Sequence, residues 1–136
     1  MLFVLKRKDN IMISAYEEGK LFLLLENGEG MEELSEILSQ YKIDSGYIIG
    51  FGTLERINFK VGTEEKEEFD VVVSNLSGLV SEGKICHVHA CFSSGYKVYN
   101  AKVDNFVSKK MFLLILPFER IKIRKIEDKF SIGYED

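Results

Sequence analysis

Two stretches of this chain, residues 21–25 and 111–116, contain no polar side chain. Short runs of Leu, Ile and Phe bounded by charged or turn residues read as β-strands, and a strand apolar at every position must be covered on both faces. Further β-type runs fall at 2–6, 11–16, 46–51, 55–61, 69–74, 83–92, 96–101 and 119–124. One amphipathic helix interrupts them: Met31, Leu34, Ile37, Leu38 and Tyr41 recur every three or four residues, with Glu32, Glu33, Glu36 and Gln40 opposite. Acids in its first turn complement the helix dipole. A single helix covers only part of one sheet face. The remaining apolar area has to be buried by curling the sheet into a barrel or by a partner chain, so the pattern predicts an oligomer. The fold class expected is α+β: a curved, largely antiparallel mixed sheet with one main helix, in a single domain over residues 1–136.

Composition removes several functions. Eighteen basic against twenty-two acidic residues give a net charge of −4, which argues against a general polyanion binder. The longest apolar run, 111–118, is far short of a bilayer span, so no membrane association is expected. Residues 1–5 are apolar but lead into Lys6-Arg7-Lys8 without small cleavage-type residues, and read as a strand of the mature protein rather than a signal peptide. Cys86 and Cys91 fall on opposite sides of their strand and should not bridge; two unpaired thiols suit a reducing, cytoplasmic location.

The only two histidines lie together, in Cys86-His87-Val88-His89-Ala90-Cys91. Side chains alternate along a strand, so His87, His89 and Cys91 should share one face. Imidazoles about 6.7 Å apart at i and i+2 can converge on one ion, whereas Cys91 lies about 13 Å from His87. Zinc takes at least three protein ligands, so a zinc site on His87 and His89 needs a donor from another strand or chain. The plainer alternative is two rings hydrogen-bonded or partly solvated at a subunit contact.

Four motifs in order carry a resemblance: Gly28-Glu29 before the helix; 46–54, Gly-Tyr-Ile-Ile-Gly-Phe-Gly-Thr-Leu; 69–78, beginning Phe69-Asp70-Val71-Val72; and His87-Val88-His89-Ala90. Together they resemble the PPC domain (plants and prokaryotes conserved) over about residues 20–118. The resemblance implies a curved sheet with one main helix, assembled as a homotrimer. In plants the domain accompanies AT-hook DNA-binding motifs and mediates self-association and contact with transcription factors; stand-alone prokaryotic members have no settled function. The plant interaction motif Gly-Arg-Phe-Glu-Ile-Leu falls on 67–72, making Phe69, Asp70, Val71 and Val72 a candidate interaction surface, with glutamates replacing the glycine and arginine. The AT-hook core Arg-Gly-Arg-Pro is absent, so no sequence-specific DNA binding is expected of this chain alone. Where the family carries Gly-Gly-His, offering a third imidazole, this chain has Asn100-Ala101-Lys102. A protonated lysine cannot ligate, and its charge repels a dication.

The ligand candidates are therefore His87, His89 and Lys102, read first as a pocket for a small anion, a carboxylate or phosphate, with zinc on His87 and His89 as the rival. Gly50-Phe51-Gly52-Thr53 lacks the Lys-Ser/Thr ending of a phosphate loop and reads as a strand bend. Arg120, Lys122 and Arg124 read as a basic strand face, a third and weaker route to DNA association; 64–68 reads as a solvated acidic loop. No nucleophile and base are recognisable, so the sequence assigns no reaction. Three readings follow: an associating, ligand-binding and regulatory module; a metal- or anion-binding enzyme with an intersubunit site around His87, His89 and Lys102; and accessory DNA association.

Overall fold

The computed structural model describes residues 2–7, 10–127 and 129–134. Its strands are β1 (Leu2–Arg7), β2 (Asn10–Glu17), β3 (Lys20–Glu26), β4 (Ser45–Val61), β5 (Glu64–Ser81), β6 (Lys84–Ser94), β7 (Lys97–Phe118), β8 (Ile121–Ile126) and β9 (Lys129–Tyr134), with the helix α1 (Gly30–Gln40) between β3 and β4. Seven strands form one sheet in the order β1-β2-β3-β7-β4-β5-β6, and β6 also pairs with β7. Strands β4, β5, β6 and β7 thus close a ring, and β3, β2 and β1 extend from β7. Closure is possible because β7 is 22 residues long. Its first part pairs with β6, from Ser94↔Lys97 to His89↔Lys102. Residues 110–115 pair with β3, from Glu26↔Lys110 to Leu21↔Ile115. The remaining strands, β8 and β9, make a separate hairpin.

The fold is predominantly β, not α+β. Strand makes up 77% of it, the helix has 11 residues, and all pairings are antiparallel, so the sheet is not mixed. The difference lies in the polar stretches, which interrupt the apolar pattern but continue the strands. Runs 46–51 and 55–61 are one 17-residue strand, bent where the ladder to β5 slips between Gly50 and Gly52. Between these pairs β5 carries one residue more than β4, so the extra residue lies on β5, opposite the glycine pair rather than in it. Runs 96–101 and 111–116 are joined through 102–110, where exposed Lys102 and Asp104 alternate with buried Ala101 and Val103. The acidic stretch 64–68 opens β5 rather than forming a loop.

The helix covers the inner face. Leu34, Ile37 and Leu38 are at most 2% exposed and α1 lies against β6 and β7; burying three such side chains contributes about 5–9 kcal/mol before entropy is counted. The start of α1 is pinned to β7 by Ser108, whose backbone N–H (2.9 Å) and hydroxyl (3.2 Å) both donate to the Gly28 carbonyl. Phe59, Phe92 and Tyr99 fill the ring, with Phe59 meeting Phe92 edge-on at 4.9 Å. Among the described residues, nothing covers the outer face of β3, β4 and β7 in the same way. Phe22, Ile49, Phe51 and Phe112 are 36–58% exposed there, and Phe51 stacks on Phe112 with centroids 5.4 Å apart. Together with Leu23 and Leu114 they line an open groove of about 440 Å³. The two all-apolar runs are therefore apolar on both faces, with one face open.

Candidate functional site

Strict alternation fails at His87. The β5–β6 ladder runs from Ser77↔His89 to Leu79↔Cys86, so β6 carries one extra residue between Cys86 and His89. His87 absorbs it with φ +54, a conformation uncommon outside glycine. Beyond the bulge Val88, Ala90 and Phe92 point into the core, while His89 and Cys91 are partly exposed. The bulge tips His87 toward His89, bringing the ring centroids to 4.8 Å, closer than regular strand spacing gives. Both cysteines are free thiols.

Lys102 lies directly across the ladder from His89, and residues opposite each other share a face. Two further lysines join them. Lys84, at the start of β6, and Lys125, on β8, line one pocket of about 570 Å³ with His87, Cys86 and Lys102. The helix contributes Met31 and Ser35 to its wall, and Asp104 is part of its lining. His89 is adjacent to the pocket rather than in its lining. Lys84 and Lys125 carried no signal in the sequence, because one opens a strand after a turn and the other is brought in from a separate hairpin.

That hairpin is positioned by buried polar contacts. The Ile123 N–H donates to Ser45 Oγ at 3.0 Å, and Ser81 Oγ donates to the Ile123 carbonyl at 2.7 Å. Arg124 Nη1 donates to Asp44 Oδ2 at 2.9 Å, and its Nε lies 3.5 Å from Glu82. The Arg124 hydrogen bond holds the Asp44 carboxyl below its ordinary range, against a smaller opposing push from burial. On β9, Phe130 meets the His87 ring edge-on at 5.7 Å. The basic face expected at Arg120, Lys122 and Arg124 thus has Arg124 committed to two acids.

Burial and the neighbouring charges favour the neutral form of His89. Burial, then the neighbouring His87, then Lys102 lower the affinity of His89 for its proton. Burial raises the Cys86 thiol, opposed by Lys125. A metal fits poorly: among the described residues no group of three His, Cys, Asp or Glu side chains converges, and the third position beside the imidazoles is an ammonium. The candidate interaction surface divides. Phe69 and Val72 are 56% and 55% exposed, Val71 is in the core, and Asp70, at φ +52, is ion-paired with Lys109.

No family model and no curated protein matches the sequence. Solved structures do match in fold. A candidate DNA-binding protein from Bacteroides thetaiotaomicron is 17% identical with a TM-score of 0.75, the match covering 91% of this chain and 96% of the other. A metal-containing protein from Archaeoglobus fulgidus is 19% identical with a TM-score of 0.63, covering 90% and 98%. A plant- and prokaryote-conserved protein from Pyrococcus horikoshii is 17% identical with a TM-score of 0.57, covering 100% and 95%. None of the helices among the described residues is long and apolar enough to cross a membrane.

Proposed function

We propose that this chain, which has the PPC fold, is a self-associating homotrimeric module whose histidine-bearing face binds a ligand. The open apolar face of β3, β4 and β7 carries this reading. Three phenylalanines and an isoleucine at 36–58% exposure, gathered along one groove, form the kind of contiguous patch that marks an interaction site on a soluble protein. The second copy is the fitting occupant because the PPC fold self-associates in the family the sequence resembles. Sedimentation at micromolar concentration tests it: the native chain should run as a trimer. Phe112→Glu, on a side chain already 41% exposed, should give a folded monomer. A native chain that sediments as a monomer refutes the proposal.

A ligand reading of His87, His89 and Lys102 is supported by the pocket they adjoin. The Archaeoglobus protein is metal-containing, but here Lys102 stands where a third neutral donor is needed, so an anion suits the site better than a dication. The DNA-binding description belongs to the Bacteroides protein; in this chain the acidic balance and the engagement of Arg124 with Asp44 and Glu82 limit any duplex association to a few phosphate contacts.

A further inference from the structure

We propose that the pocket beside His87 binds a small organic phosphate monoester, its phosphoryl group seated among Lys84, Lys102 and Lys125. The inference rests on the reading of the histidine-bearing face as a ligand site and names what it takes. Its basis is the distribution of charge. Lys60, Lys97, Lys109, Arg56 and Arg124 all have acidic partners. Lys84, Lys102 and Lys125, from three different strands, have no ion-pair partner among the described residues, yet face one cavity. The acid lining that cavity, Asp104, lies 3.9 Å from the ammonium of Lys60. In a chain of net charge −4, three unneutralised ammonium groups around one concavity repel each other until an anion arrives.

Attraction to each ammonium scales with ligand charge, so a dianion gains twice what a carboxylate gains. Lysine holds phosphate as a point charge, without the planar fork that a carboxylate-binding arginine offers. His87 at the rim adds an N–H donor. The space, about 570 Å³, is of small-molecule size. Its walls are not all polar: the partly buried Met31 and Ile85 give an ester's organic part an apolar surface, which inorganic phosphate cannot use. A duplex would meet only one bounded concavity on an acidic molecule.

Titration calorimetry of the full chain, in a phosphate-free buffer at constant ionic strength and pH 7.5, tests this with phenyl phosphate, benzoate, inorganic phosphate and a short DNA duplex. Phenyl phosphate should bind at least tenfold tighter than benzoate and tighter than inorganic phosphate. Lys84→Gln, Lys102→Gln and Lys125→Gln should each weaken it about tenfold, and Lys20→Gln, on β3, should not. Circular dichroism identifies any variant that fails to fold, leaving the others to decide. If benzoate and phenyl phosphate bind equally, both sensitive to Lys102→Gln, the phosphate assignment falls and the ligand site stands. If no anion shows lysine-sensitive binding, both fall. A duplex that binds tighter than phenyl phosphate and responds to the same variants overturns the small-ligand assignment.

Discussion

Gly52→Ala should be among the most damaging single-methyl additions in this chain. Gly52 occupies φ +150, and a Cβ built there would stand 2.2 Å from the Lys110 carbonyl oxygen and 2.9 Å from the Met111 Cα. Neither atom can retreat, because Gly52 pairs with Met111 and Thr53 with Lys110 in the β4–β7 ladder. The backbone conformation costs an L-residue about 1–3 kcal/mol, and forcing the strands apart costs about 1–3 kcal/mol more. A loss of about 4 kcal/mol is a large part of the 5–15 kcal/mol typical of a domain. With a urea slope of about 1.5 kcal/mol per molar, the unfolding midpoint should fall by roughly 2.5 M. Gly62→Ala is the internal comparison. It has φ +63 but no atom within 4 Å of the added carbon, so it should lose only about 1–2 kcal/mol. Urea titrations followed by circular dichroism, at one protein concentration, give both numbers. If Gly52→Ala loses no more than Gly62→Ala, the close approach of β4 to β7 at the bend is not what fixes glycine there.

Two further outcomes follow from the histidine-bearing face. Lys102→His places a third imidazole opposite His89 and should raise zinc affinity by at least a hundredfold, read by calorimetry; tight stoichiometric zinc binding by the unsubstituted chain would show that the ammonium is no obstacle. Because burial first, then His87 and Lys102, lower the His89 pKa in the folded chain, the unfolded chain takes up the proton first as pH falls. Stability should therefore be full above about 6.5 and decline below it, and His89→Gln should flatten the urea-midpoint profile between pH 5.5 and 8; an unchanged profile contradicts the assignment.

What could be read from sequence, and what could not, divides along a physical line. The helix was legible to within a residue, because Leu34, Ile37 and Leu38 had to share a face whatever they packed on. The two-sided character of 21–25 and 111–116 was legible for the same reason, and the structure leaves one of those faces open. Strand length was not legible. Lys102 to Lys110 look like a polar break when only hydrophobicity is counted, yet in β7 their outward side chains need no apolar character to keep the ladder going. Strand β9, Lys129–Tyr134, gave no signal because its residues are exposed. At the site, His87, His89 and Lys102 could be grouped by alternation and family order. The bulge at His87 and the arrival of Lys125 from another hairpin are tertiary facts with no local signature.

Leu21 pairs with Ile115, and Glu26 with Lys110, so the first half of that ladder leaves the ribosome long before its mate. At roughly 5–20 residues per second, β3 waits several seconds with one edge bare. Such distant pairing also makes for slow folding once the chain is free. Of the two ladder partners of the Leu-Phe-Leu-Leu-Leu run, the nascent chain has β2 but not β7 during that interval. Slowing initiation, so that fewer half-made chains coexist, should therefore raise the soluble yield of this protein.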